Sequence, residues 1–120
     1  MKYLLLMYGD ESVWEEGTPE EQQAWLAAHD RFDAAVRQRA RMLGGEALAG
    51  SATSTMLAPQ HDGGRREVTE GPFAETVEQL GGYYVVEAAD LDLMIELCHE
   101  LPDYYRLEIR PIVEFDPEGP

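Results

Sequence analysis

Cysteine, positive charge and long apolar runs are all scarce in this chain of 120 residues. Its single cysteine, Cys98, cannot form an internal disulfide, which fits a reducing cytosol, and we expect a cytoplasmic protein. Nine Lys and Arg residues oppose 24 Asp and Glu residues, so the net charge is −15. Such a charge repels the phosphates of nucleic acids and of anionic membranes, and we expect neither as a partner.

No apolar run approaches the roughly 20 residues that a membrane-spanning helix requires. The apolar start, residues 1–8, is too short for the core of a signal peptide. Hydrophobic residues make up 44% of the chain, which is an ordinary share for a folded protein and argues against disorder. We therefore predict one domain over residues 1–115, followed by a flexible polar tail at residues 116–120.

The first part of the chain predicts a strand followed by a long helix. Residues 2–8 are almost continuously apolar or aromatic, which is typical of a central strand. Thr18 and Glu21 have the spacing of a capping box, and the helix that they begin should run over residues 19–42 and stop at residues 44–45, both glycine. The apolar stripe of this helix contains Trp25, Ala28, Phe32, Ala35 or Val36, and Leu43.

The remainder predicts a hairpin, a strand, a short helix and a strand. These segments are the hairpin strands at 51–58 and 65–69, a strand at 81–87, a helix at 91–100 after the capping residue Asp90, and a strand at 107–113. This order predicts an α+β, ferredoxin-like antiparallel sheet with two helices on one face. Because the strands at 2–8 and 81–87 are apolar on both faces, we expect a homodimer packed sheet to sheet.

Residues 70–83, EGPFAETVEQLGGY, resemble the signature of the DGPF subfamily of the YCII-related proteins. Three other segments also resemble this family: the opening MKYLLLMYGDE, the turn at residues 44–46 and the ending EIRPI. The resemblance therefore covers nearly the whole chain. It implies a dimeric α/β barrel, a cleft containing a helix histidine and acidic residues, and an association with extracytoplasmic-function sigma factors. Two residues depart from the pattern, since Glu70 replaces an Asp and Val77 replaces a Lys.

His29 is the main candidate for acid–base chemistry. It lies at helical spacing beside the buried stripe, and it resembles the helix histidine of the family. In the family an acidic residue nine positions later is thought to be the partner of this histidine, whereas that position is Gln38 here. An imidazole with an ordinary pKa near 6.5 serves as a general base when a carboxylate orients it. The candidates for that carboxylate are Glu46, Glu70 and Glu75. The alternative is a structural histidine that is bonded to a backbone carbonyl.

The motif carboxylates Glu70 and Glu75 have two readings. Two carboxylates held close together raise the pKa of one of them, which creates a proton donor near neutral pH. Alternatively, the motif only shapes a loop, with Glu75 and Thr76 bonded to backbone amides. Both readings stay open at the level of the sequence.

Arg110 alternates with apolar residues of the last strand and shares a face with Glu108. On that face it would either clamp a ligand anion or form a structural salt bridge to Glu75 or Glu46. The full set of predicted ligand contacts is Tyr8, Asp10, Glu46, Phe73, Thr76 and Arg110.

Other chemistry has little support. His29, His61 and His99 lack the spacing of metal ligands, and we predict neither a metal nor a cofactor. Cys98 follows apolar residues at helical spacing, which indicates a core position rather than a nucleophile.

We expect a small-molecule-binding protein or a small enzyme that performs proton transfer, of the isomerase or lyase type, in a cleft beside the dimer interface. His29 would be the base, Glu75 or Glu70 the orienting acid and Arg110 the contact for an anion. The alternative is a non-catalytic regulatory module whose acidic surface binds a protein partner such as a sigma factor.

Overall fold

A computed structural model describes residues 1–115, and the tail predicted at residues 116–120 lies outside the described residues. Within these 115 residues there are six strands and three helices, apart from one short 3₁₀ turn. In chain order they are β1 (Lys2–Asp10), α1 (Glu11–Glu16), α2 (Pro19–Arg39), β2 (Arg41–Ala47), β3 (Thr55–Leu57), β4 (Val68–Glu70), β5 (Glu78–Glu87), α3 (Leu91–Cys98) and β6 (Arg106–Pro111).

Four strands form one antiparallel sheet in the order β2-β5-β1-β6. The longer helices cover one face of this sheet, which confirms the predicted α+β, ferredoxin-like architecture. Strands β3 and β4 form the predicted hairpin, but they pair only with each other in a separate two-stranded sheet. The fourth strand of the main sheet is therefore β2 and comes from a segment for which no strand was predicted.

The core lies between the helices and the central strands. Tyr3, Leu5 and Met7 of β1 are buried on the helix side, because alternate residues of a strand point to the same face. Phe32 and Val36 of α2 are completely buried against them. The spacing of four residues on the helix and of two on the strand thus produces one apolar layer, which is the main source of stability in a domain of this size.

The predicted start of α2 is confirmed, and its predicted end at residue 42 is wrong. Thr18 accepts a hydrogen bond from the amide of Glu21, whose carboxylate accepts one from the amide of Thr18. The helix ends at Arg39, and Ala40 is already extended. Pairing with β5 satisfies the backbone groups of the following residues, and this tertiary contact overrides their local helical pattern.

Gly44 and Gly45 do not cap the helix but lie inside β2. Gly45 pairs with Tyr84, and a Cβ built on Gly45 would lie 2.5 Å from the Tyr84 ring and 2.9 Å from the backbone oxygen of Tyr83. The absence of a side chain at Gly45 therefore lets the Tyr84 ring lie across the edge strand.

A further helix, α1, for which the sequence analysis predicted no element, directly follows β1. Asp10 begins it, because its Oδ1 accepts hydrogen bonds from the amide and the hydroxyl of Ser12 at 3.0 and 2.7 Å. No helix within residues 1–115 combines the length and the apolar character needed to cross a membrane.

We expect Gly45→Ala to destabilise the protein by about 1–3 kcal/mol, because the new methyl group has no room beside the Tyr84 ring. The matched control is Gly44→Ala, since a Cβ at Gly44 meets no atom within 4 Å. Urea unfolding of both variants measures the difference, and equal midpoints would contradict the close packing at Gly45.

Candidate acid–base and ligand-binding site

A cavity of about 380 Å³ lies between α1, α2 and the part of the sheet that β2 and β5 form. Its wall is mainly aromatic and apolar, with His29 among the few polar groups. The lining residues are Met7, Trp14, Trp25, Leu26, His29, Gly45, Glu46, Ala47, Gly81, Gly82, Tyr83, Tyr84 and Tyr105.

His29 is held between two tyrosines in the wall of this cavity. Its Nδ1 lies 2.7 Å from the hydroxyl of Tyr84 on β5, and its Nε2 lies 3.1 Å from the hydroxyl of Tyr105, just before β6. Phe32, one helical turn after His29, packs on the Tyr84 ring with centroids 4.8 Å apart. The contact that builds the core therefore also fixes the orientation of the imidazole.

Burial lowers the pKa of His29, and the nearby carboxylate of Asp30 opposes this effect only in part. The imidazole is therefore neutral at pH 7, so one ring nitrogen donates a hydrogen bond and the other accepts one. One tyrosine hydroxyl consequently donates to His29, whereas the other accepts from it. The accepting hydroxyl retains its own proton for a further partner.

Burial raises the pKa of Tyr84 to about 12, and the charge of Asp33 adds to this effect. Tyr84 is therefore a phenol rather than a phenolate at neutral pH. Together with the neutral imidazole, it forms an uncharged chain of hydrogen bonds through which a proton can pass.

The aromatic residues around the site form a continuous series of contacts from α1 to the core. Successive ring centroids are 4.6–5.9 Å apart, which is the spacing of favourable aromatic pairs. The series is Trp14, Trp25, Tyr104, Tyr105, His29, Tyr84 and Phe32.

Gly17, between α1 and α2, allows Trp25 to take its place in this series. A Cβ at Gly17 would lie 2.6 Å from the Trp25 ring, so a side chain at this position would displace the indole. Trp25 was predicted as a core residue of α2, but it is only half-buried and lines the cavity instead.

The residues predicted to share one site with His29 lie in three different places. Glu46 is part of the wall of the His29 cavity, but it pairs with Tyr83, so its side chain points to the sheet face that the helices leave uncovered. Asp10, Glu70, Glu75 and Thr76 line a second, more open cavity of about 540 Å³.

Tyr8 and Arg110 lie together on the sheet face that the helices leave uncovered. Both bond to Glu108: the Tyr8 hydroxyl donates at 3.0 Å and Arg110 Nη2 at 2.6 Å. The predicted salt bridge of Arg110 to Glu75 or Glu46 is therefore replaced by one to Glu108 of its own strand. Phe73 is 89% exposed.

The predicted pairing of His29 with a carboxylate is not what the structure has, because both ring nitrogens bond to phenols. The structural alternative, a bond to a backbone carbonyl, is not observed at these nitrogens either. In the motif, Thr76 donates its hydroxyl hydrogen to the backbone oxygen of Glu78 at 2.5 Å. This contact is a local bond within the motif, but it ends on a carbonyl oxygen, whereas the structural reading expected Glu75 and Thr76 to bind backbone amides.

The sequence analysis missed Tyr84, Tyr105 and Trp14. A signal for Tyr84 was present, since Gly82, Tyr84 and Val86 alternate and share one face of β5. No comparable pattern marked Tyr105 or Trp14, because their positions depend on the connection after α3 and on the unexpected helix α1.

The prediction about Cys98 can be compared with the structure. Cys98 is buried in the core, and burial raises the pKa of its thiol to about 11, as befits a packing residue rather than a nucleophile. Within residues 1–115, no three His, Cys, Asp or Glu side chains are grouped so that they could hold a metal ion.

Comparison with known proteins gives a family match over almost the whole chain. The profile of the YCII-related domain matches residues 1–116. An uncharacterised protein from Rhizobium meliloti (strain 1021) is 32% identical over 124 residues, which cover 98% of this chain and 96% of that relative.

We expect His29 to titrate below its ordinary pKa of about 6.5 in the folded protein, because burial disfavours the imidazolium ion. The unfolded chain then binds more protons than the folded chain below about pH 6.5, so stability falls as the pH drops through this range. The His29→Gln variant lacks the part of this pH dependence of stability that comes from His29. Histidine NMR of the wild type, assigned with this variant, measures the pKa.

Urea unfolding at pH 7.5 and 5.5 provides the second measurement. The difference in unfolding free energy between the wild type and His29→Gln should shrink at the lower pH. A His29 pKa at or above 6.5, or a difference that grows at pH 5.5, would contradict the neutral, buried imidazole.

Proposed function

The chain belongs to the YCII-related family, and we propose that it binds a small molecule in the His29 cavity and transfers a proton there. The observation that carries this proposal is the neutral imidazole of His29 held between the hydroxyls of Tyr84 and Tyr105 in the cavity wall. Such a chain of hydrogen bonds supports isomerase-type or lyase-type chemistry, in which a proton is removed from one atom and delivered to another.

The shape and lining of the cavity support binding. Its volume of about 380 Å³ falls within the range of small-molecule sites, and apolar side chains surround a few polar groups that converge. Gly81 and Gly82 carry no side chain into this space. A ligand would bury an apolar body against Trp14 and Trp25 and direct a polar group to the tyrosines.

The proton would move through a tyrosine rather than directly from His29. Both ring nitrogens of His29 are already occupied, so the group that meets the ligand is the hydroxyl that accepts a hydrogen bond from the imidazole. When this hydroxyl gives its proton to the ligand, the imidazole N–H proton replaces it, and the other ring nitrogen takes the proton of the second tyrosine. The proton that leaves the other atom of the ligand then restores the hydroxyl of that second tyrosine, so no net charge is left on the chain of hydrogen bonds. The phenols thus take the role that was predicted for Glu70 and Glu75.

We expect Ala47→Phe to fill the cavity and abolish ligand binding without unfolding the protein, because Ala47 is an exposed residue of its wall. The matched control is Ala49→Phe, since Ala49 is also exposed but does not line this cavity. Both tryptophans of the chain line the cavity, so quenching of their fluorescence reports binding. The probes are small aromatic amines, alcohols, acids and ketones, including phenylacetone.

Deuterium incorporation at the α-carbon of phenylacetone in D₂O then tests proton transfer. We expect the wild type to accelerate this exchange, and His29→Gln to lose about 100-fold of the acceleration while still binding the ketone. Binding without accelerated exchange would leave a binding protein and refute the catalytic part. If no probe quenches the fluorescence, the pocket function is wrong and salt-sensitive binding of a protein partner, such as a sigma factor, becomes the explanation to pursue.

We also propose that two copies pack through the sheet face that lacks helices. Leu4 and Leu6 of β1 pair with Val85 and Tyr83 of β5, which gives this face an apolar centre. Tyr8, Glu108 and Arg110 form a hydrogen-bonded polar border beside it. An apolar centre with a polar border is the usual anatomy of a protein interface.

We expect Leu6→Lys to convert the dimer to a monomer, because it places a charge in the apolar centre of the proposed interface. The control is Ile95→Lys, since Ile95 is exposed on α3 on the other side of the sheet. Sedimentation equilibrium measures the mass of each variant, and circular dichroism verifies folding. A wild-type monomer would refute this interface. A dimer that persists in the Leu6→Lys variant would refute it as well.

A further inference from the structure

Within the part of the chain that the structure describes, no charged side chain points into the His29 cavity. The residues of residues 1–115 that line it include no Asp, Lys or Arg, and Glu46 is the one charged residue of the wall. Glu46 pairs with Tyr83, and both side chains lie on the sheet face that the helices leave uncovered. The side chains that face the cavity are therefore apolar or aromatic, apart from the imidazole of His29.

A charged ligand would lose much of its hydration in this cavity without gaining a counter-charge from the described residues. Burying an unpaired ion costs far more free energy than burying an uncharged polar group that forms a hydrogen bond. His29 does not supply a positive charge, because burial lowers its pKa and keeps the ring neutral at pH 7. The aromatic faces attract cations, but this attraction replaces only part of the hydration that an ammonium ion loses.

The hydrogen bonds around His29 leave one proton for the ligand. The neutral imidazole carries one mobile proton, and the hydroxyls of Tyr84 and Tyr105 carry one each. Two of these protons lie in the two bonds to the ring nitrogens. The third belongs to the hydroxyl that accepts from the imidazole, so the site offers a donor. A carbonyl oxygen can accept this proton, whereas an ammonium group has only donors and cannot.

We infer that the ligand of the His29 cavity is an uncharged compound with an apolar body and a carbonyl oxygen, of which a ketone with an aromatic ring is the simplest kind. This inference rests on the proposed function, because it specifies the ligand of the same cavity. The carbonyl oxygen accepts the free hydroxyl proton, and the apolar body packs against Trp14 and Trp25. A donor at this oxygen also stabilises the negative charge that develops there when a proton leaves the neighbouring carbon.

Three probes of matched shape and different charge test the ligand class. They are 4-phenylbutan-2-one, which is an uncharged ketone, 4-phenylbutan-2-amine, which is a cation at pH 7, and the anion 3-phenylpropionate. Titration of the fluorescence of Trp14 and Trp25 gives the dissociation constants. We expect the ketone to bind at least about fivefold more tightly than either ion, because it accepts the free proton without burying a charge.

Two variants that add the same charge separate the cavity wall from the net charge of the protein. Leu26 is exposed in the wall, three residues before His29 and on the same side of α2, so Leu26→Lys adds a positive charge there. This variant should strengthen the binding of 3-phenylpropionate several-fold. Ile95→Lys adds the same charge on α3, outside the wall, and should leave that binding unchanged. Equal effects of the two variants, or no effect of either, would show that the inference is wrong.

Infrared spectroscopy of the bound ketone tests the hydrogen bond to its oxygen. We expect the carbonyl stretch of 4-phenylbutan-2-one to lie at a lower wavenumber in the wild-type protein than in hexane. The double variant Tyr84→Phe/Tyr105→Phe keeps both rings but lacks the hydroxyls, so the stretch should move towards its value in hexane. Circular dichroism verifies that this variant is folded. A stretch in the wild type that equals the value in hexane would overturn the inference.

The remaining outcomes distinguish this inference from the proposed function. If the amine or the carboxylate binds as tightly as the ketone, the cavity is a ligand site of a different class, so the inference fails while the proposed function stands. If none of the three probes binds, but a charged compound of the wider panel does, the inference fails in the same way. If no small molecule binds at all, both fail together.

Discussion

The packing of Phe32 onto Tyr84 is the contact on which both the fold and the candidate site depend. Phe32 is completely buried, and its ring centroid lies 4.8 Å from that of Tyr84. The contact joins α2 to the sheet at the strand that pairs with both β1 and β2. One helical turn earlier, His29 must then lie against the hydroxyl of Tyr84. Gly45 completes the arrangement, because only glycine leaves room for the Tyr84 ring beside β2.

The electrostatics of the site follow from this burial rather than from an ion pair. The helix places the imidazole in a half-buried position, so the pKa of His29 falls and the ring stays neutral. The hydroxyls of Tyr84 and Tyr105 satisfy both ring nitrogens, which prevents the cost of an unpaired buried polar group. A chain with 24 acidic residues thus contains an uncharged hydrogen-bonding centre.

The fold could be predicted further than the site. The cap of α2, the apolar pattern of β1 and the order of the elements led to the ferredoxin-like sheet, because these signals are local. The strand β2 was missed, since its glycines favour a turn locally and become a strand only through pairing with β5. At the site, His29 was identified from its helix position, but its partners were expected among carboxylates. Glu70 and Glu75 instead line a separate cavity.

The sequence by itself determined the acidic character, the α+β class and the family resemblance, because composition, caps and periodicity are properties of the chain. It also determined that His29 would lie beside the buried face of its helix. Only the tertiary structure decided what His29 contacts. Tyr84 and Tyr105 are 55 and 76 residues away along the chain, and their approach depends on strand pairing, on the room at Gly45 and on the connection after α3. Contacts between such distant residues leave no local pattern in the sequence. The capping box and the alternation of β1, in contrast, each involve only a few neighbouring residues.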